Sequence, residues 1–223
     1  MENSFDYSKS ILGKELQSQE LPFLILPKLK RLIEQIGPSL PQEDYLQTQP
    51  QVWIHKTAKV SPNAVILPPC IICQNAEIRT NAYLRGGVVV GANAQVGNCV
   101  EIKNTLMFDG VKIPHLSYVG DSILSSNVHL GAGVIISNVR ADKGQITHNN
   151  IKTGLTKMGA IIHQNAEIGC NAVISPGTLV GQNSRVYPTT LVRGVVPPNS
   201  ILKNNGQIVP LKPQIQPPKG EKQ

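Results

Sequence analysis

An aliphatic residue recurs at every sixth position from Ile54 onwards, and no other feature of the sequence restricts the fold as strongly. These positions form three runs, which are Ile54, Val60, Ile66, Ile72, Ile78, Leu84, Val90, Val96 and Ile102; Leu124, Leu130 and Ile136; and Ile162, Ile168, Ile174, Val180, Val186 and Val192. A period of six matches neither a helix face, which repeats every 3.6 residues, nor a simple hairpin array. It is typical of a parallel β-helix with about 18 residues per coil and inward side chains stacked about 4.8 Å apart. The sequence therefore predicts an all-β fold, a left-handed parallel β-helix of hexapeptide repeats with about eight coils.

The sizes of the other side chains agree with a thin, stacked core. A small or β-branched residue stands four places after most of the recurring positions, as at Ala58, Ala64 and Ala76. Only 4% of the residues are aromatic, so Val, Ile, Leu and Ala must fill the interior. Glycine recurs between the repeats, as at Gly91 and Gly97, where tight corners need a permissive backbone.

The sequence predicts three parts, which are an N-terminal appendage over residues 1–50, the β-helix over residues 51–203 and a Pro- and Lys-rich tail over residues 204–223. In the appendage, residues 1–20 are polar and expected to be poorly ordered or peripheral, and residues 38–50 are expected to be a linker. The tail is expected to lie extended along the coils or to be mobile.

The appendage contains one predicted helix. Its apolar positions are Leu29, Leu32, Ile33 and Ile36, which recur at helical spacing between Pro27 and Gly37. Proline near the start and glycine just past the end are the usual boundaries of a helix. An amphipathic helix must cover its apolar face, so we expect it to dock on the end or flank of the coils.

Charge and cysteine content exclude several classes of function. The net charge is +7, but the basic residues are scattered and no basic run alternates with aromatics, so we expect no nucleic-acid partner. A basic surface equally suits a polyanionic small ligand. The N-terminal residues lack the apolar core of a signal peptide and no run is long enough to span a membrane, so we expect a cytoplasmic protein. The four cysteines form one CxxC pair without a second, so we expect small buried residues rather than a zinc site.

The repeat is interrupted twice in the middle of the chain. After Ile102 the register fails over residues 103–123, which we interpret as a small insertion. After Ile136 a longer excursion covers residues 137–160. Insertions that leave a stack of coils usually line a binding face. We therefore expect an active-site rim here, with Lys103, His115, Tyr118 and Asp121 close together.

Three segments carry a specific resemblance. RGGVVVGANAQVGNCVEIKN, KIPHLSYVGDS and NVHLGAGVIISN resemble the acetyltransferase half of the bifunctional N-acetylglucosamine-1-phosphate uridyltransferase/glucosamine-1-phosphate acetyltransferases. They equally resemble the C-terminal solenoid of archaeal-type sugar-1-phosphate nucleotidylyltransferases. The resemblance covers about residues 54–203, and EIKN followed by PHLSYVGDS is its most specific part. It implies UDP-N-acetylglucosamine biosynthesis, acetyl-CoA as donor and a homotrimer with sites between neighbouring coils.

The resemblance also implies roles for individual residues. His115 matches the general base. Residues that match the sugar-phosphate site are Arg85, Lys103, Tyr118, His129, Asn138 and Lys143. Residues that match the acetyl-CoA site are Ala132, Gly133 and Cys170. Three matches are imperfect, because His129 replaces an Asn, Val139 replaces the aromatic after Asn138, and Lys143 aligns only when shifted by one place.

The chemistry of these residue types suits the implied roles. A hexosamine ammonium must lose a proton before it attacks, and a neutral imidazole, with its pKa of about 6.5, accepts protons near neutral pH. Arginine binds phosphate oxygens as a planar fork and lysine as a point charge. The developing oxyanion of a thioester needs a hydrogen-bond donor, often a backbone N–H in a turn such as residues 131–133. No metal is required for this reaction.

Other interpretations stay open. Residues 1–53 contain no Gly-rich nucleotide loop, so the chain is alternatively a non-catalytic sugar-nucleotide-binding or regulatory solenoid that partners a separate nucleotidyltransferase. Acyl-carrier-protein-dependent O-acylation is a third candidate. A zinc site like that of the γ-class carbonic anhydrases is disfavoured, because His115 and His129 are 14 positions apart and His148 and His163 are 15 apart, and neither spacing is a full coil of 18.

Overall fold

The structure is a computed structural model that describes residues 5–212, and most of the chain forms short strands wound into successive coils. The helices are a 3-10 helix Tyr7–Lys9, α1 (Gly13–Gln17), a 3-10 helix Pro22–Lys28, α2 (Leu29–Ile36) and a 3-10 helix Gly37–Ser39. The first strands are β1 (Tyr45–Gln49), β2 (Val52–His55), β3 (Lys59–Val60), β4 (Val65–Ile66), β5 (Cys70–Ile72), β6 (Glu77–Ile78), β7 (Tyr83–Leu84), β8 (Val88–Val90), β9 (Gln95–Asn98), β10 (Glu101–Lys103), β11 (Thr105–Met107), β12 (Lys112–His115), β13 (Tyr118–Gly120) and β14 (Ile123–Leu124). The remaining strands are β15 (His129–Leu130), β16 (Ile135–Ile136), β17 (Thr147–His148), β18 (Ile151–Lys152), β19 (Ala160–Ile162), β20 (Glu167–Ile168), β21 (Val173–Ile174), β22 (Thr178–Val180), β23 (Arg185–Val186), β24 (Leu191–Val192), β25 (Val195–Val196), β26 (Ser200–Leu202) and β27 (Ile208–Pro210).

Three sheets form the three faces of the solenoid. Face A contains β1-β2-β5-β8-β11-β14-β19-β22-β25, face B contains β3-β6-β9-β12-β15-β20-β23-β26-β27, and face C contains β4-β7-β10-β13-β16-β21-β24. Neighbouring strands are parallel except at the ends, where β1 pairs antiparallel with β2 and β27 with β26. The predicted fold, a left-handed parallel β-helix of about eight coils, is confirmed.

The core lies inside the three faces and consists of the residues that the period of six predicts. All recurring aliphatic positions belong to this core, and those of the first coil are only partly buried. Partner residues such as Ile72 and Val90 stack in register on neighbouring strands, so each inward side chain buries the next. This stacking explains why small aliphatic residues suffice, because every one of them contacts apolar atoms above and below.

The interpretation of residues 103–123 as an insertion is wrong. These residues form β11, β12 and β13, and Met107, Ile113 and Val119 point into the same core. Strand partners here are 17 positions apart, as for Ile102 with Val119, whereas Ile72 and Val90 are 18 apart. The coil is therefore shorter by one residue, and a strict count of six fails although the stack is uninterrupted.

The second interruption is a true insertion. Asn127 contacts Asn165 across 38 positions, whereas Asn165 contacts Asn183 across 18. The added residues, 137–160, contain the antiparallel hairpin of β17 and β18. We call residues 137–160 the excursion.

A second apolar core covers the outside of face A. Seven of the nine strands of that face carry a buried outward apolar residue, and these are Trp53, Ile71, Val89, Leu106, Ile123, Ile161 and Leu179. The N-terminal residues from Phe5 onwards pack on this surface and bury Phe5, Leu12, Leu16, Phe23 and Leu29, so residues 5–20 are not merely peripheral. Helix α2 is confirmed, as is its docking on the flank of the coils. Part of the predicted linker forms β1.

The corner between faces A and B is built from asparagines in the left-handed region. Asn127, Asn165, Asn183 and Asn199 have φ between 53° and 58°. Their side-chain amides donate to one another along the stack at 3.2, 3.1 and 2.9 Å. Asparagine tolerates this backbone better than most residues and pairs its amide locally, so the same residue type recurs at this corner.

The described chain ends in a hairpin on the last coil. Strands β26 and β27 pair through Ile201 and Val209. The rest of the predicted tail, residues 213–223, lies outside the described residues. Within residues 5–212, none of the helices combines the length and the apolar character that crossing a bilayer demands.

Candidate active site

His115 lies at the end of β12, on the corner between faces B and C. We call this the BC corner; it comprises residues 114–117 and the aligned residues 131–134 and 169–172 of the next two coils. The His115 carbonyl oxygen accepts hydrogen bonds from Ser117 Oγ at 2.9 Å and from the Gly133 N–H at 3.2 Å. The side chain is exposed, and its imidazole makes no hydrogen bond with any residue in the range 5–212. The backbone is thus fixed while the imidazole is available to a ligand.

Leu116, the next residue, is unusual in two respects that sequence reasoning missed. Its φ is +51°, a left-handed conformation that costs a residue with a Cβ about 1–2 kcal/mol. Its side chain is also 62% exposed. The aligned corner residues Cys99 and Asn171 share this left-handed backbone, so the turn of the coil imposes it rather than the site. A leucine gives no local signal for this conformation, so sequence reasoning missed it.

Residues predicted to contact the acyl donor lie on the same corner as His115. The Asn171 N–H donates to the Ala132 carbonyl at 2.8 Å, and Cys170 packs against Gly131 one coil away. In this turn the Gly131 N–H donates to Ile168 at 2.7 Å, and that of Gly133 to His115. The Ala132 N–H has no acceptor among residues 5–212 and is therefore the donor available for an oxyanion.

A second group surrounds Asp121 at the corner between faces C and A, which we call the CA corner (residues 103–104, 120–121 and 137–138). The Lys103 ammonium lies 3.3 Å from Asp121 Oδ2, and Asp121 is 5% exposed. Asn104 Nδ2 donates to Asp121 Oδ1 at 2.9 Å, and Asn138 Nδ2 donates to Oδ2. Tyr118 completes the network, because its hydroxyl donates to Asn138 Oδ1 at 3.4 Å. Because Asp121 is buried and the partners of its carboxylate belong to this corner, we assign it a structural role.

Tyr118 bridges the two corners. Its backbone begins β13 beside the BC corner, whereas its hydroxyl reaches the CA corner at the end of the strand. Gly120 makes this reach possible, since a Cβ there would lie 2.7 Å from the Tyr118 oxygen and 2.6 Å from Asn138 Nδ2. Burial, and then the carboxylates of Asp121 and Glu101, raise the pKa of Tyr118, so its hydroxyl stays protonated.

Arg85 lies on face C but is paired within the chain. Its Nη1 donates to Glu101 Oε1 at 2.7 Å, and this hydrogen bond raises the pKa of the exposed guanidinium. Lys103 is likewise paired with Asp121. Both predicted phosphate-binding cations are therefore partly neutralised by carboxylates of their own chain.

Two predicted residues lie apart from these groups. His129 is on face B, where its Nδ1 lies 2.8 Å from Glu167 Oε2. Lys143 is exposed in a turn of the excursion, with its N–H donating to the Arg140 carbonyl at 3.0 Å. Neither side chain contacts the Asp121 network among the described residues.

The sequence predicted that four residues of the active-site rim lie close together, and the structure brings three of them together. Lys103, Tyr118 and Asp121 share one hydrogen-bond network at the CA corner. His115 lies at the BC corner, before the start of β13. Three strand residues span about 10 Å, so a ligand that touches both groups must lie across face C. Within residues 5–212, no three His, Cys, Asp or Glu side chains converge on a metal-binding point.

Comparison with known proteins agrees with the motifs. The profile of the GMPPB C-terminal domain matches residues 66–156. A bifunctional sugar-1-phosphate nucleotidylyltransferase/acetyltransferase of Sulfurisphaera tokodaii is 36% identical over 154 residues, which cover 67% of this chain and 38% of that protein. The bifunctional protein GlmU of Methanococcus maripaludis is 32% identical over 185 residues, which cover 81% of this chain and 44% of that protein. The resemblance to the acetyltransferase-type C-terminal part of these proteins is confirmed. The chain spans less than half the length of these two relatives.

Among solved structures, AntD, an N-acyltransferase from Bacillus cereus in complex with dTDP and 3-hydroxybutyryl-CoA, aligns with 78% of this chain and 87% of its own. Its identity is 16% and the TM-score is 0.42. This similarity is too low to transfer a ligand or a residue role.

Proposed function

We propose that the chain is an acetyl-CoA-dependent N-acetyltransferase that acts on a hexosamine 1-phosphate or a related amino-sugar nucleotide. The observation that carries this proposal is that the His115 carbonyl accepts from the Gly133 N–H, so that an exposed imidazole and the Ala132 N–H, which has no acceptor among residues 5–212, belong to the same corner. A base and an oxyanion donor side by side are what acyl transfer to an amine needs. The similarity to bifunctional acetyltransferases supports the same reaction class.

In the proposed reaction, the His115 imidazole accepts a proton from the amino group of the sugar. The freed amine attacks the thioester carbonyl carbon, and the Ala132 N–H donates to the oxyanion that forms. The C–N bond forms in this attack. When the intermediate collapses, the C–S bond breaks and the nitrogen gives its second proton to the solvent, which leaves a neutral amide. The proton held by the imidazole then passes to the departing thiolate of coenzyme A.

The sugar phosphate is proposed to bind across face C at the Asp121 network. Lys103 and Arg85 supply positive charge, and Tyr118 and Asn138 supply polar contacts to the sugar. Since both cations already have carboxylate partners, a phosphate must share or displace these pairs. This arrangement favours an acceptor that carries more than one negative charge.

The test is release of free coenzyme A from acetyl-CoA across a panel of amino-sugar phosphates. We expect His115→Ala to lower the rate by at least 100-fold, in line with the usual contribution of a general base. His55→Ala is the matched control, because His55 is a partly exposed histidine on the first coil. The proposal is refuted if His115→Ala and His55→Ala have equal rates, or if no acceptor is acetylated.

One observation favours a different function. The matching family profile is the GMPPB C-terminal domain, a description that names no acetyl transfer. The chain is alternatively a binding or regulatory solenoid that partners a separate nucleotidyltransferase. Sugar-nucleotide binding without coenzyme A release, together with co-purification of a nucleotidyltransferase, would establish this alternative.

We also propose a homotrimer with sites between neighbouring copies. Within one chain, His129 and Lys143 make no contact with the Asp121 network, and a site between copies would let them contact the substrate of a neighbouring copy. Light scattering that gives a single-chain mass of 24.1 kDa would exclude this arrangement.

A further inference from the structure

A groove of about 770 Å³ lies between the excursion and the CA side of the last coils. We call it the excursion groove, and the polar residues that line it are Ser137, Arg140, Asp142, Thr147, Asn149, Asn150, Ser175 and Arg193. Its volume falls within the range of about 300–1,000 Å³ that is usual for small-molecule sites. None of the functional residues predicted from the sequence lines it.

The wall formed by the excursion is anchored rather than loose. His148 is 1% exposed, and its Nδ1 lies 3.0 Å from the Gly177 carbonyl oxygen of the opposite wall. Ile146 and Met158, before and after the hairpin, are buried in the second core. A Cβ at Gly177 would lie 2.2 Å from the Thr147 carbonyl, which shows how closely the two walls approach. The groove is therefore preformed.

The hairpin tip presents two asparagines to the groove. Asn149 and Asn150 have φ of +47° and +65°, the backbone of a two-residue turn that favours asparagine and glycine. Their side-chain amides, like the hydroxyls of Thr147 and Ser175, make no hydrogen bond with other residues in the range 5–212. These donors and acceptors are available to a hydroxyl-rich ligand.

The charge of the groove is positive. Arg193 is exposed and has no ion pair or side-chain hydrogen bond among the described residues. Arg140 binds Asp142 through Nε at 2.8 Å and Nη2 at 2.5 Å, so this pair is close to neutral. One uncompensated guanidinium therefore remains, and its planar fork suits the oxygens of a phosphate.

We propose that the excursion groove is a second binding site, which takes a phosphorylated sugar. Arg193 binds the phosphate, and Thr147, Asn149, Asn150 and Ser175 bind the sugar hydroxyls. No aromatic side chain lines the groove, so a nucleobase would find no stacking partner there. The site goes beyond the acceptor site on face C, and binding to it requires no acetyl transfer.

The test is isothermal titration calorimetry of the full chain with glucosamine 1-phosphate, without an acyl donor. Arg85→Gln serves as background, because it weakens the separate acceptor site proposed on face C and removes only an exposed ion pair with Glu101. In that background we expect Arg193→Gln to weaken binding about tenfold, as loss of a hydrogen bond to a charged group does. Arg193→Lys keeps the charge without the fork and should restore part of the affinity. Arg185→Gln on face B is the matched control and should have no effect.

Two further ligands test whether the groove recognises both the sugar and the phosphate. Glucosamine and inorganic phosphate should each bind at least tenfold more weakly than the sugar phosphate. The proposal is overturned if no sugar phosphate binds in the Arg85→Gln background, if Arg193→Gln binds as tightly as the protein that keeps Arg193, or if Arg185→Gln weakens binding equally. It is also overturned if inorganic phosphate binds as tightly as the sugar phosphate. Because no transfer is measured, these results do not depend on whether the chain is an acetyltransferase.

Discussion

Replacing Asp121 tests whether its buried carboxylate organises the CA corner. The carboxylate accepts from Asn104 and Asn138 and pairs with Lys103 at 3.3 Å. Its backbone carbonyl also accepts from the Gly159 N–H at 2.8 Å, which ties the end of the excursion to the coil. Asn104 in turn donates to the Leu26 carbonyl at 3.1 Å, so the same network holds the N-terminal segment.

The expected loss follows from these contacts. Breaking a buried ion pair costs about 3–5 kcal/mol, and the lower end applies because the Lys103 side chain is 24% exposed and partly hydrated. Alanine at a φ of +47° adds about 1 kcal/mol of backbone strain. Asp121→Ala should therefore lower the free energy of unfolding by about 4 kcal/mol. Asp121→Asn keeps one acceptor and a residue suited to this backbone, so it should cost only about 2 kcal/mol.

Urea unfolding, followed by circular dichroism and by fluorescence of the single tryptophan, Trp53, measures these differences. Glu101→Ala is the matched control, because it removes a carboxylate that pairs with Arg85 at 2.7 Å on the solvent-exposed surface. Exposed pairs contribute little, so this variant should unfold close to the wild-type midpoint. If Asp121→Ala and Glu101→Ala have the same midpoint, the anchoring role of Asp121 is refuted.

Three further predictions concern the site and the buried titratable groups. Gly120→Ala brings a Cβ to 2.6 Å from the Asn138 amide, so we expect the acceptor KM in the coenzyme A assay to rise at least tenfold, and an unchanged KM would contradict the proposed sugar site. Burial lowers the pKa of His163 to about 4, so the fold keeps it neutral while the unfolded chain protonates below about pH 6.5. The free energy of unfolding should therefore be highest above pH 6.5 and lower by about 2 kcal/mol at pH 5. His163→Phe should remove this pH dependence in urea titrations. Burial raises the thiol pKa of the two interior cysteines, so a thiol reagent should label only the exposed Cys99 and Cys170 in the native protein, and a labelling count of four would contradict this.

The period of six was sufficient to predict the fold because each coil buries its own residues against the adjacent coils. An inward position such as Val90 needs only its counterparts on neighbouring strands, so local sequence carries the rule. The same rule failed at residues 103–123, where one residue fewer per coil shifts the count without changing the packing. The doubled apolar residues of face A, such as Ile71-Ile72, were a readable signal that this face is covered on its outer side.

For the site as well, the sequence predicted one part and the structure supplied the rest. The motifs EIKN and PHLSYVGDS identify the residue types that acyl transfer to an amino sugar needs, because their chemistry is a property of the side chains themselves. Which of these side chains contact one another depends on the corner of the coil at which each one lies. His115 and Asp121 are six positions apart in sequence, yet His115 ends β12 at the BC corner and Asp121 follows β13 at the CA corner, and the His115 neighbours come from later coils. The sequence by itself therefore determined the scaffold and the candidate chemistry. Only the tertiary structure decided that Tyr118 joins the two corners and that the excursion closes a separate groove, because both depend on side chains that pack across coils distant in sequence.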